Sequence, residues 1–225
     1  MNIMIFDIET TCDKQGSILF MPQFKAPSNY KDTDKIESYI QKETSEWFEG
    51  TPLNPLTGEV CAIGYSFYYG KDVPPITNID LTVPLIGEIT EEHNRDEAQI
   101  LQLFWKRMKD HNGLIIGHNI KQFDLPFLYL RSLKHNITPC WSYWKRNDFS
   151  IFDLAELWNS GRRQPQFISL NHLAKFFNVG EKQLKGDKFY DLARSPNTRQ
   201  DAIDYLLNDL KLTYEVFQKF KIWQD

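Results

Sequence analysis

The sequence predicts an α/β protein built on a mixed β-sheet flanked by α-helices. Three observations carry this reading. The apolar run Ile3 to Phe6 has the length of a buried strand. Further strand-like runs follow it. Segments with helical period are interleaved with those runs and gather towards the C-terminal half. The 225 residues exceed the usual single-domain length of ~150. With 41% hydrophobic and 14% aromatic residues the chain can bury a large core, so it reads as one domain over 1–225 with an insertion at about 12–58.

The elements follow in order. Residues 12 to 58 are irregular, with Pro22, Pro27, Pro52 and Pro55, and contain one helical stretch, "DTDKIESYIQKETSEWF", with Ile36, Tyr39, Ile40 and Trp47 at helical spacing. "EVCAIGYSFYYG" and "NIDLTVPLIG" read as strands, antiparallel to the first or to each other. "RDEAQILQLFWKRMKD" places Ala98, Leu101, Phe104 and Met108 on one helical face. "NGLIIGHN" is a short buried strand opened by a turn. "QFDLPFLYLRSL" begins a helix that tolerates Pro126 in its first turn. "SIFDLAELWNSG", "SLNHLAKFFNVG" and "TRQDAIDYLLNDLKLTYEVFQKF" read as three more helices, with Gly161 and Gly180 as stop signals after the first two.

Composition excludes several classes. Cys12, Cys61 and Cys140 are scattered, which argues against structural zinc or a disulfide framework and points to a reducing compartment. "MNIMIF" is too short and uncharged for a signal peptide, and no apolar run reaches the ~18 residues of a membrane span. A cytoplasmic protein without membrane partners is expected. A net charge of −4 gives no global nucleic-acid signature, so a polyanion would be held by a local basic patch or by metal ions.

Four acids stand out. Asp7 and Glu9 continue the first strand, with Ile8 between them. Side chains alternate along a strand, so the two carboxylates project together, roughly 7 Å apart along the chain. Like charges that close raise each other's pKa unless a cation lies between them. The alternative is a strand end with both acids in water. Asp124 falls in the first turn of a helix, where an acid also suits the positive end of the helix dipole. In the last helix Ile203, Leu206, Leu207, Leu210, Tyr214 and Phe217 form one apolar side. Tyr205 and Asp209, one turn apart, lie nearly opposite and share their side with Leu212 and Val216. An acid and a tyrosine on a half-buried face need a partner. Asp204 falls on a flank beside Asn208 and Lys211, where water suffices.

"FDIET" (Asp7, Glu9), "HNIKQFD" (Asp124) and "YLLND" (Tyr205, Asp209) occur in the motif order of the DEDD 3′–5′ exonucleases, a ribonuclease-H-like superfamily. The YxxxD spacing is that of its tyrosine branch, DEDDy. "GHNIKQFDLPFL" and "SLNHLAKFFNV" most resemble the proofreading domains of family-B DNA polymerases and their stand-alone bacterial and phage relatives. The resemblance implies a ribonuclease-H-like fold and a 3′–5′ exodeoxyribonuclease that uses two divalent cations, Mg²⁺ or Mn²⁺. It assigns Asp7 to both ions, Glu9 and Asp209 to the one that activates water, and Asp124 to the second, directly or through a water. Tyr205 would orient the attacking water, since a phenol with a pKa of ~10 is a poor base at neutral pH. Thr10, Asn119 and Phe123 would contact the 3′-terminal nucleotides. Single-stranded DNA is the expected substrate, with replication or repair proteins as partners of a stand-alone enzyme or proofreading-type subunit.

Phe123 also suits an ordinary core position. His118 reads as a hydrogen-bonded structural residue, and Asp153 in "SIFDLAEL" as a helix cap. Lys121, Lys145, Arg146, Arg162 and Arg163 are candidate phosphate contacts, with Arg162 and Arg163 favoured by their Gly/Gln/Pro loop. Two alternatives remain: the same chemistry on RNA, and a non-catalytic nucleic-acid-binding scaffold.

Overall fold

The computed structural model describes residues 2–70, 74–83, 96–142, 148, 150–160, 162–184 and 186–220. Five strands form one mixed sheet: β1 (Asn2–Cys12), β2 (Gly58–Tyr69), β3 (Ile76–Leu81), β4 (Leu114–Gly117) and β5 (Ile151–Asp153), in the order β3-β2-β1-β4-β5. β1 pairs parallel with β4, β4 parallel with β5, and β2 antiparallel with β3. This mixed, helix-flanked sheet has the ribonuclease-H-like α/β architecture. The C-terminal part of "NIDLTVPLIG", beyond residue 83, lies outside the described residues, as does Gly161.

Eight α-helices are described: α1 (Lys14–Leu19), α2 (Thr33–Gly50), α3 (Glu97–Asp110), α4 (Asp124–Lys134), α5 (Leu154–Asn159), α6 (Leu170–Phe176), α7 (Phe189–Arg194) and α8 (Arg199–Lys219). The chain separates into two compact units, residues 10–60 and the remainder. The smaller unit holds α1 and α2. Asp13 caps α1 by accepting the N–H groups of Gln15 and Gly16, and its own N–H donates to the Thr57 carbonyl at 2.9 Å. Trp47 of α2 donates its indole N–H to the Ser17 carbonyl at 3.2 Å. Ile36, Tyr39, Ile40 and Trp47 are half-buried, matching the single helical stripe in the sequence.

In the larger unit β1 sends alternate side chains to opposite faces. Phe6 meets Phe104 of α3 with ring centroids 4.9 Å apart. Ile3 and Ile5 join Ile116, Leu154, Leu173, Leu210 and Val216 in a second core under α8. On the first face, α3 and α4 are tied by Trp105 Nε1 donating to Ser132 Oγ at 2.7 Å. The Arg131 guanidinium also bonds both Glu97 oxygens, at 2.8 and 2.6 Å.

The "SIFDLAELWNSG" segment corrects one expectation. Its first residues form β5 rather than a helix, with Ile151, Phe152 and Asp153 paired to Ile115, Ile116 and Gly117. Asp153 then caps α5 by accepting the Ala155 N–H at 2.9 Å. α6 ends differently as well. Asn178 takes the left-handed conformation (φ 54°), and the Val179 N–H returns to the Ala174 carbonyl at 3.0 Å. The stop residue is therefore Asn178, with Gly180 two residues beyond.

α8 is buried on more than one side. Leu206, Leu210 and Phe217 face the core as the apolar stripe predicts, but Ile203, Leu207 and Tyr214 are only half-buried, while Tyr205, Asp209, Leu212 and Val216 are buried. Two neighbours make the difference: Phe189 and Ala193 of α7 pack with Tyr205 and Leu206, and Leu170, Leu173 and Ala174 of α6 share a core with Leu212 and Val216. Gly64 of β2 lets α8 approach closely, since a Cβ there would stand 2.8 Å from Leu206 Cγ. Gly64→Val should therefore overpack this contact and destabilise the fold by about 1–3 kcal/mol in urea unfolding. Wild-type stability would show that α8 does not rest on this contact.

Candidate active site

The site is assembled from the middle of β1, the start of α4, the middle of α8 and the segment after α6. Asp7 and Glu9 lie on the face of β1 that also carries Ile3 and Ile5. One oxygen from each of Asp7, Glu9 and Asp209 falls within 4.8 Å of the others. Asp209 is fully buried. Asp124 joins from the first turn of α4, where its Oδ1 accepts the Ile8 N–H at 3.2 Å and ties the helix start to β1.

Burial dominates the electrostatics of the cluster, and mutual repulsion adds to it. The Asp7 carboxyl is pushed up to about 7, first by burial and then by the charge of Asp209. Burial and then Asp7 raise Glu9, and the same two causes in the same order raise Asp124. Burial raises Asp209 too, against the opposing pull of Lys182.

Lys182 is the residue that the sequence reading missed. Its ammonium stands 2.5 Å from Asp209 Oδ2, and 5.1 Å from the Tyr205 ring centroid. Burial works against its charge, but Asp209, Asp7 and Glu9 outweigh burial and hold its pKa above the usual lysine value. Its backbone N–H donates to Asn171 Oδ1 at 2.9 Å, which fixes the segment to α6. Even so, neither Asp209 oxygen receives a well-directed hydrogen bond among the described residues. The short ion pair and the unfilled acceptors are compatible: the ammonium is close, but poorly aligned with the lone pairs.

Tyr205 is buried, and its pKa is driven far up, first by that burial and then by Glu9, Asp209 and Asp7. It is a phenol that stays protonated, hence a hydrogen-bond donor. Gly186 borders the same spot: a Cβ there would lie 3.3 Å from the Tyr205 hydroxyl and 3.5 Å from Glu9 Oε2.

The remaining candidates fall as follows. Asp204 is exposed and accepts from Gln200 Nε2 at 2.8 Å, away from the acids. Asp153 receives the N–H groups of Asn119 (2.8 Å) and Lys121 (2.9 Å), so it braces the loop before α4 as well as capping α5. Asn119 is half-buried in the left-handed conformation (φ 62°). Phe123 is half-buried and packs on Phe127 with centroids 5.5 Å apart. Thr10 follows Glu9 on β1 and is half-buried. The Lys121 ammonium is committed to Glu156 Oε2 at 2.9 Å, while Arg162 and Arg163 are exposed. Lys145 and Arg146 lie outside the described residues. His118 has both ring nitrogens buried, and burial lowers its pKa to about 4, opposed by a hydrogen bond with the Ile168 backbone.

The protein is thus of the α/β class, with acids from β1, α4 and α8 brought towards one another. The family described as "Predicted 3'-5' exonuclease related to the exonuclease domain of PolB" matches residues 78–225, well over half of the chain. The chain belongs to that family. Membership places it among the nuclease hydrolases, with nucleic acid as substrate. The matched segment contains Asp124, Lys182, Tyr205 and Asp209, whereas Asp7 and Glu9 lie upstream of it. No curated protein matches the chain. Among the described residues, no helix is long and apolar enough to cross a membrane.

Proposed function

We propose that the protein removes nucleotides one at a time from the 3′ end of single-stranded DNA, using two divalent cations held by Asp7, Glu9, Asp124 and Asp209. The observation that carries this reading is the grouping of the Asp7, Glu9 and Asp209 carboxylates in mid-β1 and mid-α8, with Asp124 tied to the same strand and the protonated Tyr205 beside them. The donor set of Asp7, Glu9 and Asp209 fits hard cations such as Mg²⁺ or Mn²⁺: all oxygens, closely grouped, with Asp209 fully buried. Bound divalent ions would supply charge neutralisation at the phosphate and acidity for the attacking water. Preference for DNA over RNA rests on the likeness of the "GHNIKQFDLPFL" motif to the DNA enzymes.

The chain's own groups then have distinct tasks. Asp7 and Glu9 present their carboxylates from a rigid strand, so their spacing is set before substrate arrives. Asp124 holds β1 to α4 through the Ile8 N–H and would serve a second cation directly or through a water. Tyr205 donates its hydroxyl hydrogen and so can hold a water in line with the phosphorus. Lys182 opposes the rise that burial imposes on Asp209, and a cation at Asp209 would compete with that ammonium. Thr10, Asn119 and Phe123 would hold the terminal nucleotides.

Chelation should abolish hydrolysis of a single-stranded oligonucleotide, and added Mn²⁺ or Mg²⁺ should restore it. Tyr205→Phe separates positioning from packing. The ring remains and only the hydroxyl is lost, so turnover should fall by a factor on the order of 10 to 10² while substrate affinity stays similar. The metal concentration for half-maximal activity should hardly move. An unchanged single-turnover rate with a lowered melting temperature would remove Tyr205 from the catalytic set.

A further inference from the structure

Next to the acid cluster, the segment from α5 to α6 forms a surface that hydrolysis itself leaves unused. Trp158 of α5 and Phe176 of α6 meet edge to face with centroids 5.2 Å apart. The Arg162 guanidinium stands 5.1 Å from the Trp158 ring centroid. Phe176 is 63% exposed and Phe167 is 78% exposed, so both rings keep a free face. The loop that carries Phe167 is closed by Asn159, which donates to the Gln166 carbonyl at 2.9 Å and accepts the Gln166 N–H at 3.0 Å. Phe167 thus projects from an ordered turn rather than from a slack one.

Position and charge narrow what this surface can bind. Phe167 lies three residues before α6, where Asn171 accepts the Lys182 backbone N–H at 2.9 Å, and the Lys182 ammonium in turn pairs with Asp209. The aromatic group therefore begins at the rim of the acid cluster. Of the nearby acids, Glu156 is paired with Lys121 and Glu181 with Lys175, at 2.9 and 2.8 Å. Arg162 and Arg163 are both exposed, and Arg162 lies beside an aromatic ring. Open rings flanked by guanidinium groups match a single polynucleotide strand, whose bases stack while its phosphates meet the cations.

We propose that Phe167, Trp158, Phe176 and Arg162 form a stacking platform for bases of the single strand upstream of the nucleotides in the acid cluster. The proposal rests on the reading of that cluster as a site for the 3′ end. Its consequence is affinity that grows with strand length beyond the few nucleotides the site itself holds.

The test measures binding of 5′-fluorescein-labelled oligo-dT of three, six and nine nucleotides to the full chain by anisotropy, with divalent ions chelated so that the strands stay whole. In the wild type, affinity should rise at least tenfold from the three-mer to the nine-mer. Phe167→Ala should remove about tenfold of that rise, a loss in the range of one stacked base. Phe167→Trp should restore it, which a mere folding defect would not allow. Equal affinity for all three lengths in the wild type, or an undiminished rise in Phe167→Ala, would overturn the platform. These outcomes are independent of the hydrolytic reading. A wild type that cleaves DNA but shows no length dependence refutes the platform alone, whereas length-dependent binding lost in Phe167→Ala supports it even in a protein that cleaves nothing.

Discussion

Asp209→Asn should lower turnover on single-stranded DNA by a factor on the order of 10³ or more, while Asp204→Asn stays near wild type. The two residues belong to one helix and differ by five positions, about 140° of rotation around its axis. Asp209 is fully buried with its oxygens beside Asp7 and Glu9, whereas Asp204 is exposed and bonds only along its own helix to Gln200. Neutralising Asp209 removes one of three grouped carboxylates and also strands the Lys182 ammonium. Neutralising Asp204 changes a solvated charge. Equal losses in the two variants would mean that α8 does not present Asp209 to the reaction.

The second large effect is thermal. In metal-free protein the buried carboxylates bind protons more tightly than they do in the unfolded chain, as the rise of Asp7 to about 7 shows. Between its ordinary value near 4 and that raised value the folded state therefore holds more protons, so this group's contribution to stability falls as pH rises through the window. A divalent cation binds the ionised form and reverses the penalty. The rise in melting temperature produced by saturating Mn²⁺ should consequently be small at pH 5 and large at pH 8. His118 gives the opposite slope, since its pKa is lowered to about 4, but that slope is common to both samples and drops out of the difference. A metal-induced shift independent of pH would contradict the carboxylate cluster as the binding site.

The parts of the site legible in the sequence were those with a periodic or local signature. Asp7 and Glu9 share a face because a strand alternates. Asp209 separates from Asp204 because a helix turns 100° per residue, and burial along α8 divides them as the pattern predicts. Asp153 reads as a cap, and caps α5. Lys182 had no such signature. It is one of several lysines after α6, and only the folded path of the chain sets its ammonium against Asp209. β5 was hidden for another reason: three residues are too few to show a strand period, and pairing with β4 overrides the helical pattern that surrounds them. The extra burial of α8 comes from its tertiary neighbours, α7 over Tyr205 and α6 beside Leu212 and Val216.

The central claim is that the acid cluster hydrolyses a strand from its 3′ end with divalent metal. The most direct measurement follows a 5′-labelled single-stranded oligonucleotide over time with Mg²⁺ or Mn²⁺, resolved at single-nucleotide length. The account predicts a descending ladder that shortens by one nucleotide per step and vanishes on chelation. Immediate release of the label as a mononucleotide, or a ladder that persists without metal, would contradict it.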